Sequence, residues 1–134
     1  MYSDVVMEHF RNPRNIGVID DANVVVKVGD PSCGDALLVF LKIDNDRVQD
    51  VKYKIFGCGA AIATSSIASE MAMGKTLDEV LAITDQDITD ALQGLPVEKW
   101  HCSNLAASAF HAAIKEYRKK TAGPSADFSG ESPS

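Results

Sequence analysis

The stretch from Leu37 to Phe56 sets the strongest constraint on the fold. Leu37 to Ile43 is strongly apolar, Asp44-Asn45-Asp46 is a turn, and Val48 to Phe56 alternates, with Val51, Tyr53 and Ile55 set against Lys52 and Lys54. Successive side chains of a strand point to opposite faces, so this period of two predicts a half-buried strand. Two such segments with a short polar link predict an antiparallel hairpin. A β-branched run, Val24 to Val28, ends at the turn signal Gly29-Asp30-Pro31 and is expected to join them as a third strand.

After Gly57 the pattern turns helical. Ala60 to Met73 is small and apolar nearly all round, which predicts a helix buried on several sides, with Gly74 as its stop. A short helix is expected from Thr76 or Leu77 to Ala82, opened by a capping-box pattern, Thr76 to Glu79. Another is expected from Thr84 to Leu92, closed by Gly94 and Pro96. The last helix is expected from about Ser103 to Lys120, with Ala106, Phe110, Ala113, Ile114 and Tyr117 as its apolar stripe. At the other end Ser3 can cap a first helix that carries Val6 and Phe10 and stops at Pro13. The class is therefore α+β: a three-stranded antiparallel sheet packed by helices, one compact domain with a long C-terminal helix. We expect that domain over residues 1–120. Residues 121–134, dominated by Ser, Gly and Pro, read as a disordered polar tail.

A net charge of −6 removes the basic footprint of a nucleic-acid binder and argues against an anionic membrane as partner. The longest apolar run, Ala36 to Leu41, is too short to cross a bilayer. No secretory signal or Arg-rich transit peptide is visible, and three cysteines cannot all pair. Reduced thiols in a cytoplasmic protein are the expectation.

Each cysteine falls at a junction between elements. Cys33 lies in the turn Asp30-Pro31-Ser32-Cys33-Gly34-Asp35. Cys58 lies in Phe56-Gly57-Cys58-Gly59, where the hairpin gives way to the buried helix. Cys102 lies in Trp100-His101-Cys102-Ser103, on the approach to the last helix. Helix starts present unpaired N–H groups and a partial positive charge, which favour thiolate at Cys58 and Cys102. Asp35 stands two residues from Cys33, on the same face of an extended segment. His101 adds an imidazole beside Cys102. The candidate set is Cys33, Asp35, Cys58, His101 and Cys102. The spacing is not that of a CxxC zinc site, so a metal or cluster site, a reactive-cysteine enzyme and unrelated buried cysteines all remain open. His9 and His111 read as ordinary helix-face residues, and Trp100 as either a shield for the site or part of the core.

At these residues the chain resembles the IscU and NifU N-terminal-domain family of iron–sulfur cluster assembly scaffolds. The strings that carry the resemblance are Tyr2-Ser3-Asp4 with Asn12-Pro13-Arg14-Asn15-Ile16-Gly17; Gly29-Asp30-Pro31-Ser32-Cys33-Gly34-Asp35; Phe56 to Ser66; and Leu95-Pro96 with Lys99, His101 and Cys102. They follow one another in order across about residues 2–120. The resemblance implies a scaffold without small-molecule turnover, on which a [2Fe–2S] cluster is assembled and then transferred to apo-proteins. It implies Cys33, Cys58 and Cys102 as thiolate ligands, with Asp35 and His101 as candidates for the fourth. Zinc is an alternative occupant in protein isolated in air. The implied sulfur donor is a cysteine desulfurase, with Cys102 as the main persulfide acceptor. The family's chaperone string Leu-Pro-Pro-Val-Lys is here Leu95-Pro96-Val97-Glu98-Lys99. The missing proline and the glutamate weaken the expectation of an Hsp70-type chaperone partner. Glu98 is closer to the nitrogen-fixation branch.

Overall fold

The computed structural model describes residues 2–30 and 35–121. The elements run α1 (Asp4–Arg11), β1 (Val24–Asp30), β2 (Asp35–Asp44), β3 (Arg47–Phe56), α2 (Gly59–Ala72), α3 (Leu77–Leu81), α4 (Asp85–Ala91), a 3-10 turn (Val97–Lys99) and α5 (Trp100–Thr121). The strands form one antiparallel sheet with β2 in the middle, as the alternation predicts. The β2–β3 turn holds Asn45 and Asp46 at φ of 55° and 58°. Asn and Asp tolerate that left-handed backbone, which a tight hairpin matching strand twist requires.

One face of the sheet is buried. Leu37, Val39, Leu41 and Ile43 of β2, with Val48, Val51 and Tyr53 of β3 and Val24 of β1, point into the core. Burial pushes the Tyr53 phenol up to about 12, so it stays neutral at ordinary pH. Helix α5 lies across β1 and β2, and α2 lies on β3 and against α5. Ala60, Ala61, Ala63, Ala68 and Ala72, with Thr64, Ser65, Ser66 and Ser69, are buried around α2. Their small size lets backbone approach from several sides, as the all-round pattern predicts. Gly74, at φ 77°, ends the helix as expected.

The caps agree with the sequence. The Ser3 hydroxyl accepts from Val6 N–H at 3.1 Å. Thr76 with Glu79, and Thr84 with Asp87, form complete capping boxes. Opposite the thiol end, the hairpin turn is bonded to the α2–α3 connection. Val48 N–H donates to Lys75 O, Gly74 N–H to Val48 O and Leu77 N–H to Asp46 O, at 2.8, 2.9 and 3.1 Å. Arg47 Nη1 also donates to Gly74 O, at 2.7 Å.

Three expectations need correction. Helix α5 begins at Trp100, not near Ser103. The 3-10 turn before it, closed by Lys99 N–H to Pro96 O at 2.8 Å, supplies a ready nucleus that carries the helix back by three residues. His9 is buried at 5% exposure, with Nδ1 2.7 Å from Ser66 Oγ and Nε2 3.6 Å from Glu70. Burial, and then the charge of Arg14, hold its pKa below the ordinary value, although Glu70 and Glu8 pull the other way. Ser66 Oγ also accepts from Arg14 N–H at 2.9 Å, so one hydroxyl fixes α1 and the following loop to α2. His111 is half-buried, and its Nε2 lies 2.6 Å from Ile83 O. A carbonyl only accepts, so Nε2 carries the proton and ties α5 to the α3–α4 junction. Thr121 closes α5; the rest of the expected tail lies outside the described residues.

Candidate functional site

Strand β3 ends at Phe56, and two residues later Cys58 is the N-cap of α2, with φ −76° and ψ 175°. Cys102 sits in the first turn of α5. Because α2 and α5 pack together and both begin at this end of the sheet, the two sulfurs come within 4.0 Å. Neither is in a disulfide. Cys102 is 1% exposed and packs with Ala60 and Ala61; Tyr2, Ile55, Leu95 and the half-buried Cys58 surround that cluster. His101 Nε2 lies 3.5 Å from Cys102 Sγ, and Lys99 Nζ lies 3.7 Å from Cys58 Sγ.

The spacing of the sulfurs can be tested against a metal. At metal–sulfur bonds of about 2.3 Å, two thiolates on one tetrahedral ion lie about 3.8 Å apart. The observed 4.0 Å fits that geometry with almost no movement. Among the described residues, no group of three His, Cys, Asp or Glu side chains stands close enough to hold a metal ion by itself. Cys33 lies outside the described residues. Asp35 opens β2, and its backbone pairs with Asp30 in the last rung of the β1–β2 ladder. The next residue, Ala36, pairs with Phe56. Strands β1 and β2 therefore leave the sheet at the end where β3 delivers Cys58.

Electrostatics favour a thiolate at Cys58. Burial pushes its thiol up, but the backbone amides of Ala61 and Ala60, then Cys102 and the Lys99 ammonium, bring it below the ordinary thiol value. Reciprocally, the charge of Cys58 is the main influence that raises Lys99. The Lys99 contact spans 41 residues of sequence, and no local pattern announces it. Trp100 is 53% exposed, which removes it from the core. Its Nε1 donates to Leu95 O at 3.0 Å and braces the turn that leads into Cys102.

In metal-free protein, the rate of Cys58 alkylation should rise with pH about a midpoint below that of an unperturbed thiol. Lys99→Ala should move that midpoint upward, because a lost positive charge disfavours thiolate. Iodoacetamide kinetics with peptide mapping read both; a midpoint unmoved by the substitution removes Lys99 from this role.

Two thiols from the starts of adjacent helices, meeting at one end of a helix-backed antiparallel sheet, define a small α+β domain built around a thiol site. A family model described as the NifU-like N terminal domain matches residues 1–123, and the chain belongs to that family. It is 54% identical over 120 residues to the iron-sulfur cluster assembly scaffold protein IscU 1 of Archaeoglobus fulgidus, covering 90% of this chain and 78% of the relative. It is 49% identical over 121 residues to the iron-sulfur cluster assembly scaffold protein IscU of Aquifex aeolicus, covering 89% and 77%. The crystal structure of the N-terminal part of a nitrogen-fixing NifU-like protein from Brucella abortus shares the fold, with a TM-score of 0.71 at 22% identity over 88% of this chain and 94% of that one.

Proposed function

We propose that this chain is a scaffold on which an iron–sulfur cluster is assembled and from which it is passed to apo-proteins. The 4.0 Å approach of Cys58 and Cys102, with His101 beside them, carries the reading. The scaffold names of relatives at 54% and 49% identity support it. The cargo is a [2Fe–2S] cluster bound by Cys33, Cys58 and Cys102, with Asp35 or His101 completing the set. Electron-transfer clusters are commonly held by four thiolates. Exchanging one soft sulfur for a harder oxygen or nitrogen donor loosens one iron, and that corner is where an acceptor's thiol starts to take over. Such a protein carries its cargo without turning over a small molecule.

The sulfur comes from a pyridoxal-phosphate cysteine desulfurase, as a persulfide on the scaffold's cysteines. Thiols that must stay reduced fit the cytoplasm. Among the described residues, no helix is long and apolar enough to cross a membrane.

Anaerobic reconstitution with ferrous iron, cysteine and a desulfurase tests the reading. The expected product is red-brown, with iron and acid-labile sulfide in equal amounts. A colourless protein that takes up only zinc from an equimolar mixture would falsify it.

A further inference from the structure

The sheet has two faces, and the helices cover one. Helices α2 and α5 pack on the inner face and against each other, while on the outer face Val25 is 49% exposed and Leu38 and Phe40 are half-buried. A sheet face turned to water is normally polar. Here Val25 pairs with Phe40, Leu38 follows two positions away on the same strand, and Lys27, Lys52 and Lys54 flank the three. Across the ladder these lysines face Leu38 and Phe40 rather than acids. Among the described residues none of the three forms an ion pair, whereas Lys42 on the same face reaches Asp21 at 3.4 Å. An apolar strip edged by cations, in a chain of net charge −6, fits an acidic segment that carries an aromatic ring.

We propose that residues 122–134 of this same chain dock there, with Phe128 on Val25 and Phe40 and with Asp127 and Glu131 beside the lysines. The segment holds one aromatic residue, two acids and no base. Composed mostly of Ser, Gly, Pro and Ala, it has too little apolar surface to fold alone. A face prepared by the folded domain asks only for the one ring. The segment also starts in the right place. Lys120 Nζ donates to Asn23 O at 2.8 Å, so the end of α5 stands at the residue before β1, and β1 is an edge strand. Phe128 is seven residues beyond Thr121, a reach of up to about 23 Å. A layer packed on a sheet lies about 10 Å from it, so that length carries the chain round the β1 edge to Val25 and Phe40. Lys27 and Lys54 both pair with Leu38 and so stand two strand spacings apart, about 10 Å. Asp127 and Glu131 are four residues apart, about 13 Å when extended, which is enough to meet both. Docked there, the segment covers apolar surface that would otherwise face water. The proposal stands on the sheet face and the sequence and does not depend on the scaffold reading.

The test uses the full metal-free chain, isotopically labelled, at neutral pH and low salt. Nuclear Overhauser spectra should place the Phe128 ring against the methyl groups of Val25. Phe128→Ala should shift the amide signals of Val25, Leu38 and Phe40 and leave those of the inner core in place. Lys27→Glu combined with Lys54→Glu, both at exposed positions, should lower the docked-to-free ratio by about fivefold or more, because two weak surface pairs become repulsive. Salt at about 0.5 M should weaken docking of the unaltered chain in the same direction. Isotope-filtered spectra of mixed labelled and unlabelled chains separate a segment folded back on its own sheet from one that reaches a second copy. Contacts between chains only would overturn the proposal, as would a Phe128 ring with no contact to the outer face. Docking that ignores both salt and the lysine reversals would overturn the pairing of Asp127 and Glu131 with Lys27 and Lys54.

Discussion

Cys58→Ser or Cys102→Ser, each made singly, is expected to remove the visible spectrum that anaerobic reconstitution gives the unaltered chain. The two sulfurs stand 4.0 Å apart, close to the separation of two thiolates on one tetrahedral metal, so on the proposed reading each is half of a pair that closes on the same ion. A serine hydroxyl does not ionise at neutral pH and is a hard donor, poorly matched to cluster iron. Even outer-shell partners of metal ligands are worth about 10–100-fold in affinity, so a lost thiolate should cost about 100-fold or more. The two variants should differ in stability. Serine at the rim position of Cys58 changes little. At Cys102 it puts a hydroxyl against Ala60 and Ala61, at a penalty of about 1–3 kcal/mol if it stays unpaired. Far-UV circular dichroism and a urea melt separate unfolding from lost ligation. A full spectrum in either variant would take that cysteine out of the ligand set.

The second large effect belongs to the sheet. Leu41→Ala should destabilise the domain by about 2–5 kcal/mol, the range for a fully buried leucine whose cavity cannot collapse. Leu41 pairs with Val24 and Val51, both fully buried, so the void would open in the centre of the sheet beneath the helices. Leu38, three residues earlier on the opposite face, is paired with Lys27 and Lys54 and is only half-buried. Leu38→Ala should therefore cost about 1 kcal/mol or less. Paired urea denaturation curves measure the contrast. Equal losses would mean that the outer face is as tightly packed as the inner one.

The same alternation is why so much of the fold can be read from the sequence. Strand and helix periods, capping boxes and turn residues are interactions between neighbours within about four positions, so Val51-Tyr53-Ile55, Thr76 with Glu79 and Asn45-Asp46 announce themselves. What joins distant segments does not. His9 gives no local sign that it will be buried against Ser66 and Glu70, because that depends on how α1 settles on α2. The early start of α5 depends on a 3-10 turn whose hydrogen bond is a detail of Pro96 geometry. At the site, the candidacy of the cysteines and His101 is legible at their junctions. The distance between Cys58 and Cys102 is not, because it is set by α2 lying beside α5. The junctions group the cysteines, Asp35 and His101 as candidates and leave their chemistry open, the resemblance implies one ligand set, and Lys99 beside Cys58 has no local sign at all.

The bonds between the hairpin turn and the α2–α3 connection have a mechanical consequence. Four hydrogen bonds donated by Arg47, Val48, Gly74 and Leu77 lash that pole of the molecule shut, at the end of the β2–β3 hairpin away from the sulfurs. A partner that grasps the thiol pole thus pulls on a body whose far extremity is already moored, and the work it does is spent near its own grip rather than in unravelling the sheet.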